Sequence, residues 1–260
     1  MNLSFYPAPT IIFVVFLLML IAFRLGNWFF RWKKLRMEEL EKSGFGAVEG
    51  SLLGLLALML AFTFSLSSSH YDRRIQVINE EANDIGTAIL RADLYPDSVR
   101  KEFRKDFKQY IETRISFFES DIDLPKVYAS LDESAKWQQK LWDRAAYYGR
   151  KPEYLVQTNL MVPALNSMID IVSTRNTAIL AKVPDIIFYI LFALCITAAF
   201  SMGYSIGHKV DWPVKLGFAL MTAMSLYLAM DLDRERRGLI NVGFVHKQML
   251  DLRNMFSAEE

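Results

Sequence analysis

The chain has 260 residues, 52% of them apolar, with 19 Phe and 12 Met and a formal charge of +1. That balance leaves no excess of either sign to draw the chain to nucleic acid or to an acidic partner. The single cysteine excludes an intramolecular disulfide framework and a cysteine metal site.

Charge spacing carries more information than total charge. No charged side chain occurs from Met1 to Phe23, from Gly50 to Ser69, from Ile186 to Gly207 or from Leu216 to Met230. A hydrocarbon core about 30 Å thick takes roughly 20 helical residues to cross. The first three stretches are long enough. The fourth reaches that length with Trp212 and Pro213, and Lys215 can carry its ammonium to the headgroups. Four transmembrane helices are therefore predicted, near 6–30, 48–69, 184–207 and 213–231. In the first, Arg24, Arg31, Lys33, Lys34 and Arg36 follow the apolar run. A cleaved signal has the opposite order, so this helix is expected to stay.

Between the second and third spans the composition turns polar and poor in Gly and Pro. Ile75, Ile78, Ala82, Ile85, Ile89 and Ala92 fall at intervals of 3 or 4, one apolar stripe of a helix, with Glu80, Asp84, Thr87 and Arg91 opposite. Pro96 ends that helix and Asp97 can cap the next, which carries Val99, Phe103, Phe107, Tyr110 and Phe117 on its apolar side. "DLPKVYASLDES" reads as a break, with Asp132 or Ser134 capping a third helix. A fourth runs from about Leu155 toward Pro184, and Pro163 is expected to bend or split it. The predicted fold is all-α: 1–69 with two spans and a basic loop, 70–183 an extramembrane helical bundle, 184–231 two further spans, and 232–260 an amphipathic tail. Basic residues count eight on each side of the membrane, so charge does not assign the side of the bundle.

No catalytic constellation stands out. His70, His208 and His246 are far apart in sequence and none is within a turn of another histidine or cysteine, so neither a metal site nor a cofactor is expected. "GFGAVEGSLLG" has the glycines of a phosphate loop but enters a membrane span, where small residues serve close helix packing. The chain is therefore not read as an enzyme. In the second span Gly54, Leu58, Phe62, Ser65 and Ser69 share one face, glycine first and hydroxyls last. Two readings stand side by side: a packing face with a polar end, or a pore wall contributed by several copies, narrowed at Leu58 and Phe62 and gated by dewetting.

"LAFTFSLSSSHYDRR", "INEEANDIGTAILRADLYP" and "DLDRERRGLI" together resemble the bacterial bestrophin-like domain family, over about Gly50 to Val245. More remotely, the two bulky apolar residues four apart in "LMLAFTFS" are similar to the pore helix of bestrophins. That resemblance implies a homo-oligomer, pentameric by analogy, conducting small inorganic anions across the inner membrane of a bacterium. "ESDID" and "DLDRE" are too sparse for the acidic calcium clasp of true bestrophins. The alternative from a different class is a membrane-anchored sensor or scaffold whose helical domain binds a partner without transport.

A polar network is also expected. Glu80, Glu81, Asn83, Asp84 and Arg91 would either face water, form salt bridges within the bundle, or meet the basic cluster Arg234, Arg236 and Arg237. Asp231 and Asp233 would join that network or cap a terminal helix.

Overall fold

The computed structural model describes residues 3, 6–34, 45–119, 124–205, 212–234, 239–240, 243 and 245–256. The all-α class read from the sequence is what the structure has, with no strand among the described residues. The chain divides into two compact units, Met1–Tyr71 with Lys182–Ile240, and Asp72–Ala181 with Asn241–Glu260.

The first unit contains α1 (Ala8–Lys34), the first part of α2 (Phe45–Ala92), α6 (Asp185–Ser205) and α7 (Trp212–Asp233). Among the described residues four helices are long and apolar enough to cross a membrane, and the chain is a multi-pass membrane protein. Met19, Phe23, Leu191, Cys195, Ala219 and Leu226 belong to the core of this unit. In hydrocarbon, helices associate through close packing rather than hydrophobic burial, and glycine permits the closest approach. Here a Cβ on Gly26 would lie 2.2 Å from the Phe200 carbonyl oxygen, and one on Gly203 would lie 2.3 Å from that of Phe23. α1 and α6 therefore touch backbone to backbone. Thr63 and Thr197 are satisfied within their own helices, Thr63 donating to the Met59 carbonyl at 2.8 Å and Thr197 to that of Ala193 at 2.8 Å, whereas the buried Ser67 hydroxyl has no partner among the described residues. Such back-bonding lets a polar side chain stand in an apolar medium.

The second unit comprises the rest of α2, α3 (Asp97–Glu119), α4 (Leu124–Gly149), α5 (Leu155–Leu180) and the short α8 (His246–Asp251). Ile85, Ile89, Phe103, Phe107, Leu141 and Leu165 lie at its core. Two details refine the sequence reading. The break expected at "DLPKVYASLDES" lies inside α4, which begins at Leu124. Pro125 falls in the first turn, where a missing N–H breaks no helical bond. Ser134 is thus internal and donates to the Leu131 carbonyl at 2.9 Å rather than capping. Of the two outcomes expected at Pro163, a split does not occur, since Pro163 sits within the single helix α5. Met161, Ala164 and Leu165, all buried in the core, flank it and hold the helix through the lost bond.

The C-terminal residues close this unit. Met249, Leu252 and Phe256 enter its core. Arg253 grips Glu112 with two bonds of 2.8 and 2.6 Å. Arg104 grips Asp93 at 2.7 Å through both oxygens and donates to the Met255 carbonyl at 2.8 Å.

Candidate functional site

In the first unit, attention falls on what α2 leaves uncovered. Its apolar stretch is 11% buried, against 33% for α1 and 33% for α7. Leu56, Thr63 and Ser67 turn inward and are buried. Gly54, Leu58, Phe62, Ser65 and Ser69 are all exposed on the other side. Leu58 is 53% exposed and Phe62 65%. A Cβ added at Gly54 would meet nothing within 4 Å, in contrast to Gly26 and Gly203. Gly54 therefore serves no close packing contact among the described residues. Among the described residues of one chain, nothing covers this strip of small, bulky and hydroxyl side chains.

A polar clamp ties the chain together within the same unit. Asp233 at the end of α7 accepts from the Val183 amide at 2.9 Å and pairs with His70 Nδ1 of α2 at 3.2 Å. Asp231 accepts from the Ile240 amide at 2.9 Å. Arg234 donates to the carbonyls of Tyr6 at 2.7 Å and Leu3 at 3.2 Å, and the Leu3 amide donates to Asp185 at 3.1 Å. These bonds join the start of α1, the middle of α2, the start of α6 and the end of α7. Asp231 and Asp233 lie in the last turn of α7 and accept from the Ile240 and Val183 amides, and the terminal helix α8 has Val245 at its N-cap position, with no side-chain cap.

The second unit encloses an ionic cluster. Glu81 of α2 receives Arg114 of α3, Nε to Oε1 at 2.5 Å, and Arg175 of α5 on its other oxygen. Glu81 and Arg114 are 0% exposed and Arg175 is 4% exposed. Burial pushes the Glu81 carboxyl up, but Arg114 and then Arg175 outweigh it and hold it down to about 2. The ring of Phe117 packs against both guanidiniums, 4.8 Å from Arg114 and 5.1 Å from Arg175.

Of the alternatives for Glu81, the structure shows the salt bridge within the bundle. Glu81 is held by arginines of its own bundle, and Arg234 is occupied by carbonyls of α1's approach. Arg236 and Arg237 lie outside the described residues. The other acidic candidates behave as surface groups: Glu80 is exposed, with Arg73 at 3.9 Å, and Asn83 is exposed. Asp84 is half-buried, and burial, with the negative charges of Glu80 and Glu81, raises its carboxyl above the usual range. Arg91 donates to the Leu160 carbonyl and so links α2 to α5.

Sequence reasoning missed Arg114 and Arg175. The signal was present. Arg114 continues the apolar series Phe103, Phe107, Tyr110 at helical spacing, and Arg175 continues Met161, Leu165, Met168. A charge placed on an apolar stripe must find a buried counter-charge, and Glu81, adjacent to Ala82 on its own stripe, supplies it.

Residues 46–243 match the family model of the Bestrophin-like domain. No curated protein matches the sequence. Among solved structures, one variant of a bacterial bestrophin homolog from Klebsiella pneumoniae is similar with a TM-score of 0.66 at 13% identity, over 94% of this chain and 99% of that one. A second variant gives 0.67 at 14%, over 95% and 98%. At such identity the likeness is one of fold.

Proposed function

Since the chain belongs to the bestrophin-like domain family, we propose that several copies assemble around the exposed face of α2 and form a pore for small inorganic anions. The observation that carries this reading is the uncovered strip itself: of the spans, α2 buries least and has the longest uncharged polar end. A single four-span chain is too small to enclose a path, so the pore needs an oligomer, five-fold by family analogy. Leu58 and Phe62 form an apolar neck that closes by dewetting. Gly54 gives a wide, smooth approach on one side. Ser65 and Ser69 offer hydroxyl hydrogens to a passing anion on the other. No carboxylate lies on this strip to repel an anion. The lipid bilayer of a bacterial cytoplasmic membrane is the setting that the family resemblance gives it.

Purified protein in planar bilayers tests this. The reading expects currents whose reversal potential follows the anion gradient, increased by Phe62→Ala as the neck widens. Silence from both wild type and Phe62→Ala overturns it. The second reading, a membrane-anchored sensor or scaffold, draws on the helical unit's own core and enclosed ionic cluster. A stable monomer in detergent favours it, and a closed ring favours the channel.

A further inference from the structure

We propose that Arg24, Arg31 and Lys215 form a headgroup site for an anionic phospholipid, where α1 meets the start of α7. Arg24 is the first charged side chain of the sequence. It lies eight residues, about 12 Å of helix, before the end of the apolar stretch Ala8–Trp32. A guanidinium at that depth requires a partner. Its side chain is exposed and extends over the Trp212 ring of α7, 5.5 Å from the ring centre. Tryptophan at the end of a span marks the headgroup level, so Arg24 carries its charge toward lipid phosphates.

Two further cations belong to the same corner. Trp28 and Arg31 follow Arg24 at steps of four and three, so the three share one exposed stripe of α1. On α7, Phe218 meets Phe23 with ring centres 6.4 Å apart, and Lys215 stands one turn before Phe218, on the side that meets α1. No acid answers these charges among the described residues. α1 contains no Asp or Glu, and α7 contains none before Asp231. Asp211 precedes Trp212 in the sequence and lies outside the described residues; even with its charge counted, two positive charges remain.

This surplus selects the ligand. Trp212 lies against the Arg24 guanidinium, whose free edge offers paired N–H groups that match two phosphate oxygens. A zwitterionic headgroup brings an ammonium that the surplus repels, and an anionic one does not. Below the headgroup, Ile21 and Leu17 continue the stripe of Arg24 toward the middle of the span and are exposed, which gives an acyl chain a surface that free phosphate cannot use.

The site does not depend on the pore reading, since it needs only that α1 and α7 lie in a bilayer. The test is native mass spectrometry of the full-length protein from micelles holding dioleoyl phosphatidylglycerol and dioleoyl phosphatidylcholine in equal amounts. Wild type should retain phosphatidylglycerol over phosphatidylcholine by about tenfold. Arg24→Gln combined with Lys215→Gln should bring the ratio to within about twofold of parity, while Lys136→Gln, at an exposed lysine of the helical unit, should leave it unchanged. Inorganic phosphate in excess should not displace the lipid. A cryo-electron-microscopy map in phosphatidylglycerol nanodiscs should show headgroup density within hydrogen-bond reach of Arg24, and this decides the matter even if the double variant fails to fold. Parity in wild type, a preference that survives in the double variant, displacement by inorganic phosphate, or a map empty beside Arg24 would each overturn the proposal.

Discussion

Arg114 and Glu81 meet at 2.5 Å with neither side chain reaching solvent. Their positions are unequal, because Glu81 answers two arginines and Arg114 answers only one acid. Removing the carboxylate leaves Arg114 buried without an acidic partner and takes Glu81 from Arg175 as well, while removing Arg114 leaves Glu81 still paired with Arg175. Glu81→Gln should therefore cost about 3 to 5 kcal/mol in denaturant unfolding, and Arg114→Gln clearly less.

The same cluster sets an acid limit. The folded Glu81 carboxyl sits at about 2, below its ordinary 4.5. Its contribution is thus complete above about pH 4.5 and is lost as pH falls toward 2. The full difference amounts to about 3 kcal/mol. Unfolding curves between those limits should slope in wild type and flatten in Glu81→Gln; parallel slopes would rule out Glu81 as their source.

Glycines in the membrane unit should separate into two kinds. Gly26→Ala or Gly203→Ala forces a methyl group onto a carbonyl oxygen of the neighbouring helix. A loss of about 1 to 3 kcal/mol is expected. Gly54→Ala meets nothing within the chain, so monomer stability should hold while conductance or assembly changes. Thermal unfolding of the three variants in one detergent checks the division.

A milder pH effect should appear at the C-terminal segment. His246 stacks on Phe118 with ring centres 3.9 Å apart. Burial lowers its affinity for a proton, Glu119 opposes that, and Arg175 and Arg253 add to it. A histidine depressed in the folded state stabilises fully above its unfolded value, about 6.5, and loses that contribution as pH falls below it. Amide exchange across residues 246–256 should accelerate below that pH in wild type but not in His246→Phe.

Much of this was legible from residue order. Charge-free runs marked the spans because hydrocarbon admits few exceptions, and the stripe from Ile78 to Ala92 announced a helix with one buried side. Caps were less legible. Asp132 and Ser134 look like a helix start, yet Pro125 provides an earlier one at no cost in hydrogen bonds. Partners were least legible. Glu81 lies 33 residues from Arg114 and 94 from Arg175, and nothing local says which distant arginines will fold against it. Asp233 is similar: its partners, His70 and Val183, come from two other stretches of the chain. Arg114 itself could have been flagged, as a charge on an apolar stripe.

The central claim is that the exposed strip of α2 faces water in an assembled pore. The only native cysteine, Cys195, is buried, so a cysteine introduced at Phe62 can be probed alone with a water-soluble, charged thiol reagent during bilayer recording. Leu220, exposed on α7, is the lipid-facing control. The account predicts that the reagent changes the current through Phe62→Cys and leaves Leu220→Cys untouched. A Phe62→Cys current that ignores the reagent, with the thiol shown to be unmodified, would contradict it.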